Sequence, residues 1–195
     1  MTEDEWLACP DPIAMLEFVQ GKVSDRKLRL FSCACHHRVW DRITDEGMKS
    51  IINMMEQFAD GTVTYDEMNA VYMKSSAGVY EAPLVYGNET ALGDVLGTRD
   101  MSANAEIESA AQAILLRDIF GNPFESAIFE PSRRTLSVVR LCQTIYEERT
   151  FNKMPDLGDA LERAGCRDQV ILSHCREQNE HVRGCWVVDL ILGKE

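Results

Sequence analysis

With 195 residues, 45% of them apolar and 27% charged, the chain has the makeup of a globular protein, which excludes wholesale disorder. A net charge of −12 opposes binding to nucleic acid or to anionic lipid, and no run approaches the roughly 18 apolar residues of a membrane span. Seven cysteines, odd in number and irregular in spacing, suit reduced thiols packed as small hydrophobes rather than a disulfide framework.

The acidic start, Met-Thr-Glu-Asp-Glu-Trp, lacks the basic flank of a secretion signal and leads to the expectation of a cytosolic protein. The charge is uneven. Residues 1–43 carry six basic and seven acidic side chains, residues 44–130 four and fifteen, and residues 131–195 ten and ten. An acidic middle predicts solubility and attraction for a basic partner.

Apolar residues recur at helical spacing along the chain and no stretch alternates as a strand does, so the expected fold is all-α. Asp11-Pro12 is a cap followed by proline at the first helical position, predicting a helix over Ile13–Gln20. Ser24-Asp25 opens a second, to about Ile43. Its Leu28, Phe31, Cys35 and Val39 fall on one side and Leu30, Cys33, Ala34, His37 and Trp40 on the other, as in a helix sandwiched between layers. A third helix follows Thr44-Asp45-Glu46 with a stripe of Met48, Ile51, Ile52, Met55, Phe58 and Ala59, and a fourth follows the capping box Thr64-Tyr-Asp-Glu67.

Residues 81–101 hold three glycines and a proline without a helical period, which predicts an acidic loop joining two sub-halves, 1–80 and 102–195, of one domain. A fifth helix is expected over about Ser102–Phe120 with Ile107, Ala110, Ala111, Ile114 and Leu115 inward. A sixth runs from about Arg134 to Glu148, a short seventh from Pro155 and an eighth from Asp168 to about Arg176. The ninth is the terminal run Cys185–Leu192, where Asp189 is the only charge. Eight residues that apolar predict a helix buried on all sides, opened by Asn179 or Glu180 and stopped by Gly193. The expectation is therefore an irregular bundle of about eight or nine helices closed on a buried C-terminal helix.

The phrases Trp6-Leu-Ala-Cys9, Ser24-Asp-Arg-Lys-Leu-Arg-Leu-Phe31, Leu116-Arg-Asp-Ile-Phe-Gly-Asn-Pro-Phe124, Ala164-Gly-Cys166 and His181-Val-Arg-Gly-Cys-Trp186 together resemble a protein family present in many copies in planctomycete-type bacteria. The likeness covers both ends of the chain but not residues 60–105. A Pro-Gly-Pro turn usual in that family before the histidine is replaced by Glu177-Gln-Asn-Glu180. The family has no established activity, so the resemblance implies kinship and no mechanism.

Cys33 and His37 are four residues apart on one predicted helix, and so are His181 and Cys185 on another. Two such pairs facing each other make the ligand set of a tetrahedral zinc site, with His36, His174 and Cys175 as marginal substitutes. No close Cys-x-x-Cys knuckle accompanies them. His174-Cys175 and Cys35-His36 are adjacent, yet neighbours on a helix point about 100° apart, so adjacency does not make a thiol catalyst. The Walker loop, Gly-x-Gly-x-x-Gly and His-Glu-x-x-His are all missing. Asp118 and Asp189 fall on inward faces and need partners, because an uncompensated buried carboxylate costs several kcal/mol. Asp189→Ala is therefore expected to cost more than Asp94→Ala, and Trp186 joins the two acids as a structural residue. The sequence favours a non-enzymatic helical protein acting through protein contacts. A structural Cys/His zinc site, or an enzyme site assembled from scattered residues, is the alternative.

Overall fold

A computed structural model describes residues 1–74, 87–125 and 127–194, with the backbone alone for 87–90. Among the described residues there are eleven α-helices and no strand: α1 (Glu3–Ala8), α2 (Pro12–Val19), α3 (Asp25–Arg38), α4 (Glu46–Ala59), α5 (Tyr65–Tyr72), α6 (Gly87–Met101), α7 (Ala105–Phe120), α8 (Leu136–Glu148), α9 (Met154–Arg163), α10 (Gln169–Arg176) and α11 (Trp186–Leu192). The all-α expectation holds, with two helices more than the sequence reading counts. No described helix is long and apolar enough to cross a membrane. The chain divides into two compact units, Met1–Leu116 and Arg117–Glu195, so the division falls inside α7.

The first extra helix, α1, is only six residues long, but Thr2 and Glu5 close a reciprocal capping box at its start. The second, α6, replaces most of the loop expected at 81–101; residues 81–86 lie outside the described residues. Its buried face is Ala91, Asp94, Val95 and Thr98, a true helical spacing in which two members are polar and one is small. Hydropathy cannot register such a stripe. Gly93 and Gly97 face open space, so they mark no turn.

In the first unit α3 packs against both α4 and α6, as its two apolar faces require. Cys33 faces α4, where its thiol donates to the Ile52 carbonyl at 3.6 Å. Cys35 is buried on the side of Asp94, whose charge adds to burial in pushing the thiol well up. The helix stops at Arg38, and Trp40–Arg42 continue as a single 3₁₀ turn rather than as α-helix to Ile43.

α7 is turned by about one residue from the face its aliphatic stripe selects. Ile107 is 65% exposed and Ala110 is exposed, while Glu108 and Gln112 are buried. Pairing makes that orientation possible. Arg38 donates to both oxygens of Glu108, at 2.9 and 3.2 Å, and Gln112 Nε2 donates to Thr98 Oγ1 at 2.9 Å. A largely desolvated pair of this kind costs about 3–5 kcal/mol to break from one side.

Asp94 is also buried, within 3.8 Å of His36, and so is unsuitable as the exposed reference against which the loss of Asp189 is to be judged. Burial holds its carboxyl above the ordinary value. The charge of His36 and a hydrogen bond from Ser32 only partly offset that.

In the second unit α8 packs on α9 and α11, and α10 lies against α9 and α11. Val138, Cys142, Ile145, Leu157, Leu161, Ile171 and Val188 form the centre of its core. α11 is shorter and less enclosed than the sequence reading has it. Val187, Val188, Asp189 and Ile191 are buried, but Trp186, Leu190 and Leu192 are half-buried rather than sealed. Its N-cap is Cys185, not Asn179 or Glu180. Gly184, at φ +90°, breaks any earlier helical path, and the N–H of Val182 is taken by the Asp118 carboxylate at 2.9 Å. Gly193 does end the helix, at φ +70°.

Trp186 lies over Gly121, where an added Cβ comes within 3.2 Å of the indole Cγ at a backbone φ of +69°. Gly121→Ala is therefore expected to lower stability by about 1–3 kcal/mol, from backbone strain and a displaced ring. Gly97→Ala, on an exposed and open helical position, is expected to raise stability by about 0.5–1 kcal/mol. Chemical denaturation of the two variants checks the opposite signs.

Candidate functional site

The second unit places four side chains of three chemical kinds around one point. Asp118 comes from the last turn of α7, His174 from α10, His181 from the segment between α10 and α11, and Cys185 from the N-cap of α11. Each offers one ligand-type atom, and the four atoms all lie within 4.8 Å of one another. All four residues are buried: Cys185 is 0%, Asp118 3%, His181 8% and His174 9% exposed.

The local chain explains how each arrives. Asp168 caps α10 through the N–H groups of Val170 and Ile171, which fixes where His174 emerges two turns on. A turn closed by Cys185 N–H on the Val182 carbonyl at 3.0 Å, with Gly184 at positive φ, folds His181 back toward the sulfur. His181 and Cys185 thus converge through a turn, not through the shared helix face that their four-residue spacing suggests.

Asp118 organises the contacts. Its Oδ1 accepts from His181 Nδ1 at 2.6 Å and lies 3.1 Å from His174 Nε2, while Oδ2 accepts from the Val182 backbone N–H. An ionised carboxylate can only accept, so His181 carries its proton on Nδ1. The same His174 Nε2 is 3.2 Å from the Cys185 sulfur. The rings of His174 and His181 meet edge to face at 4.9 Å, and Trp186 tilts against His174 at 5.1 Å.

The charges follow from this packing. Burial works to raise the Asp118 carboxyl, but its bonds to the two histidines and their charge prevail and hold it below the usual carboxylate value. Burial works to lower His181. Asp118, helped by the Glu177 carbonyl, prevails and raises it. For Cys185, burial and then the Asp118 charge push the thiol well up, against the N–H groups of Val188 and Val187.

Only half of the residues singled out as ligands from sequence meet in this cluster. His181 and Cys185 belong to it. Cys33 is bonded to the Ile52 carbonyl, and His37 Nε2 is 3.2 Å from Glu56 Oε1 with its ring stacked on Trp40. His36 bonds the Ser32 carbonyl, and the Cys175 thiol, buried, is pushed up to about 12. The places of Cys33 and His37 are taken by His174, which the sequence marks only as marginal, and by Asp118, which it marks as a buried acid in need of a partner. No protein-family profile matches the chain, and neither the curated proteins nor the solved structures searched contain a match.

The two shifts have opposite consequences for stability. A lowered Asp118 value contributes stability that is present above 3.8 and is lost as pH falls through the folded value. A raised His181 value contributes stability that is complete below 6.5 and is lost as pH rises through the folded value. In protein kept in chelator, the melting-temperature difference between wild type and Asp118→Asn is expected to be largest between those limits and to shrink on either side. A difference that does not vary with pH contradicts this account.

Proposed function

We propose that this protein is a non-enzymatic helical module that works through protein contacts, with a basic protein as the partner of its acidic first unit. The observation that carries this reading is the closure of the one Asp/His/His/Cys cluster found among the described residues. Its members contact one another beneath the surface, an arrangement suited to holding chain segments together and poorly suited to meeting a substrate. The thiols of Cys35, Cys142, Cys175 and Cys185 are all buried with raised values, whereas a cysteine nucleophile needs a lowered one. α11 then serves as the closing element of the second unit, with Trp186 and Asp189 in structural roles.

Charge supports the choice of partner. Residues 1–116 carry nineteen acidic and nine basic side chains, against thirteen and eleven in 117–195. A field of that sign steers a basic surface toward the first unit and repels nucleic acid. Exposed acids such as Glu17, Asp100 and Glu106 are spread over its surface and tolerate reversal.

The test is co-purification from the native cell at low salt. A stoichiometric basic protein is expected, released as salt is raised. It is also expected to be lost from a variant in which Glu17, Asp100 and Glu106 are changed to Lys without change in the thermal melt. Purification of the chain alone at every salt concentration, or a partner indifferent to those reversals, overturns the reading.

A further inference from the structure

The geometry points to a closed, tetrahedral site for one zinc-type divalent cation, with Asp118 Oδ1, His174 Nε2, His181 Nδ1 and Cys185 Sγ as its ligands. This goes beyond a role in protein contacts and does not depend on it.

Proton bookkeeping favours a cation at the centre. His174 Nε2 lies 3.1 Å from the Asp118 oxygen and 3.2 Å from the Cys185 sulfur. If that nitrogen bears a proton, it serves the carboxylate and leaves the thiol without an acceptor there. If it bears none, it can accept from the thiol but turns a lone pair toward the carboxylate oxygen. Neither tautomer gives both contacts a strong hydrogen bond, in a place with 0–9% exposure where water does not supply one. A cation among the four atoms takes one lone pair from each as a ligand, and the His181 Nδ1 proton and the Cys185 thiol proton are released to solvent as it binds.

Size and donor type agree. Zinc–ligand lengths of about 2.0–2.1 Å to N or O and about 2.3 Å to S put the edges of a ligand tetrahedron at roughly 3.3–3.6 Å. The His174 contacts are already close to that, the 2.6 Å Asp118–His181 contact has to open by less than a bond length, and all four ligand atoms lie within 4.8 Å of one another. One sulfur, two imidazoles and one carboxylate form a borderline set, too soft for magnesium or calcium and suited to zinc. Supporting contacts hold the ligands in place. The Val182 N–H fixes the second carboxylate oxygen, and Trp186 packs on the His174 ring. Four protein ligands and no open face make the site structural, fastening α7, α10 and the start of α11.

The experiment is a cobalt(II) titration of the full-length protein after removal of metal by chelator. Expected are saturation at one equivalent, the intense visible absorption of tetrahedral cobalt, a sulfur-to-cobalt charge-transfer band, and displacement of both by zinc. Cys185→Ser is expected to abolish the charge-transfer band and to weaken binding by more than the roughly 10–100-fold that loss of an outer partner costs. Cys33→Ser is expected to leave the spectrum unchanged, which separates this ligand set from one built on Cys33 and His37. A wild-type titration without saturation at one equivalent, or a charge-transfer band lost in Cys33→Ser and kept in Cys185→Ser, overturns the proposal. If Cys185→Ser does not fold, the wild-type stoichiometry and the Cys33→Ser spectrum decide it.

Discussion

The second unit depends on a single buried negative charge. Asp118 is 3% exposed, and a carboxylate in that position is tolerated only when its oxygens are matched by donors. They are matched by His181, the backbone of Val182 and His174, which stand 56 to 64 residues further along the chain. That requirement dictates the path of the segment between α10 and α11. The segment must turn inward to bring His181 and Val182 to the acid, and the turn must be released by a residue that accepts positive φ, which Gly184 does. Once that path is set, α11 has no room to begin before Cys185.

The first unit uses the same device with less consequence. Arg38 with Glu108, His37 with Glu56 and Arg26 with Asp60 each join two helices through a partly or largely buried pair. In every case the acid is less exposed than its partner, and the long or aromatic base reaches in from the edge. Such pairs fix which way a helix faces more than they add to stability, and α7 shows it, since its aliphatic face yields to Glu108 and Gln112. Exposed pairs such as Arg176 with Asp159 lie in solvent and contribute about 0–1 kcal/mol.

Access decides what these groups can do. A histidine, a carboxylate and a thiol within hydrogen-bonding distance also describe the machinery of a nucleophilic enzyme, and chemical identity alone does not separate the two. Here one imidazole nitrogen faces both the acid and the sulfur, so the ring does not stand between them as a relay with one nitrogen for each. Burial removes the approach a substrate needs, and the thiol is held in its neutral form. The four side chains bring the last turn of α7, α10 and the start of α11 to one point.

The helical class, most helix starts and the burial of six of the seven thiols were legible in the sequence, because these rest on short-range rules. Asp11, Ser24, Asp45, Thr64 and Asp168 all cap the helices that follow them, through bonds no more than three residues long. It also marked Asp118 as an acid that must find partners, and His181 with Cys185 as a pair. Which distant side chains answer those needs emerges only once the chain is folded. α6 was hidden because its inward face includes Asp94 and Thr98, whose polarity breaks the apolar stripe. The face of α7 was misjudged because hydropathy counts Glu108 as a surface residue, whereas Arg38, 70 residues away, makes it an interior one. His174 and Asp118 could not be joined to His181 and Cys185 from spacing, since no local period connects residues brought together by the packing of three helices and a turn. Local chemistry is written in neighbouring residues; the match of a buried charge to its partners is set by the whole fold.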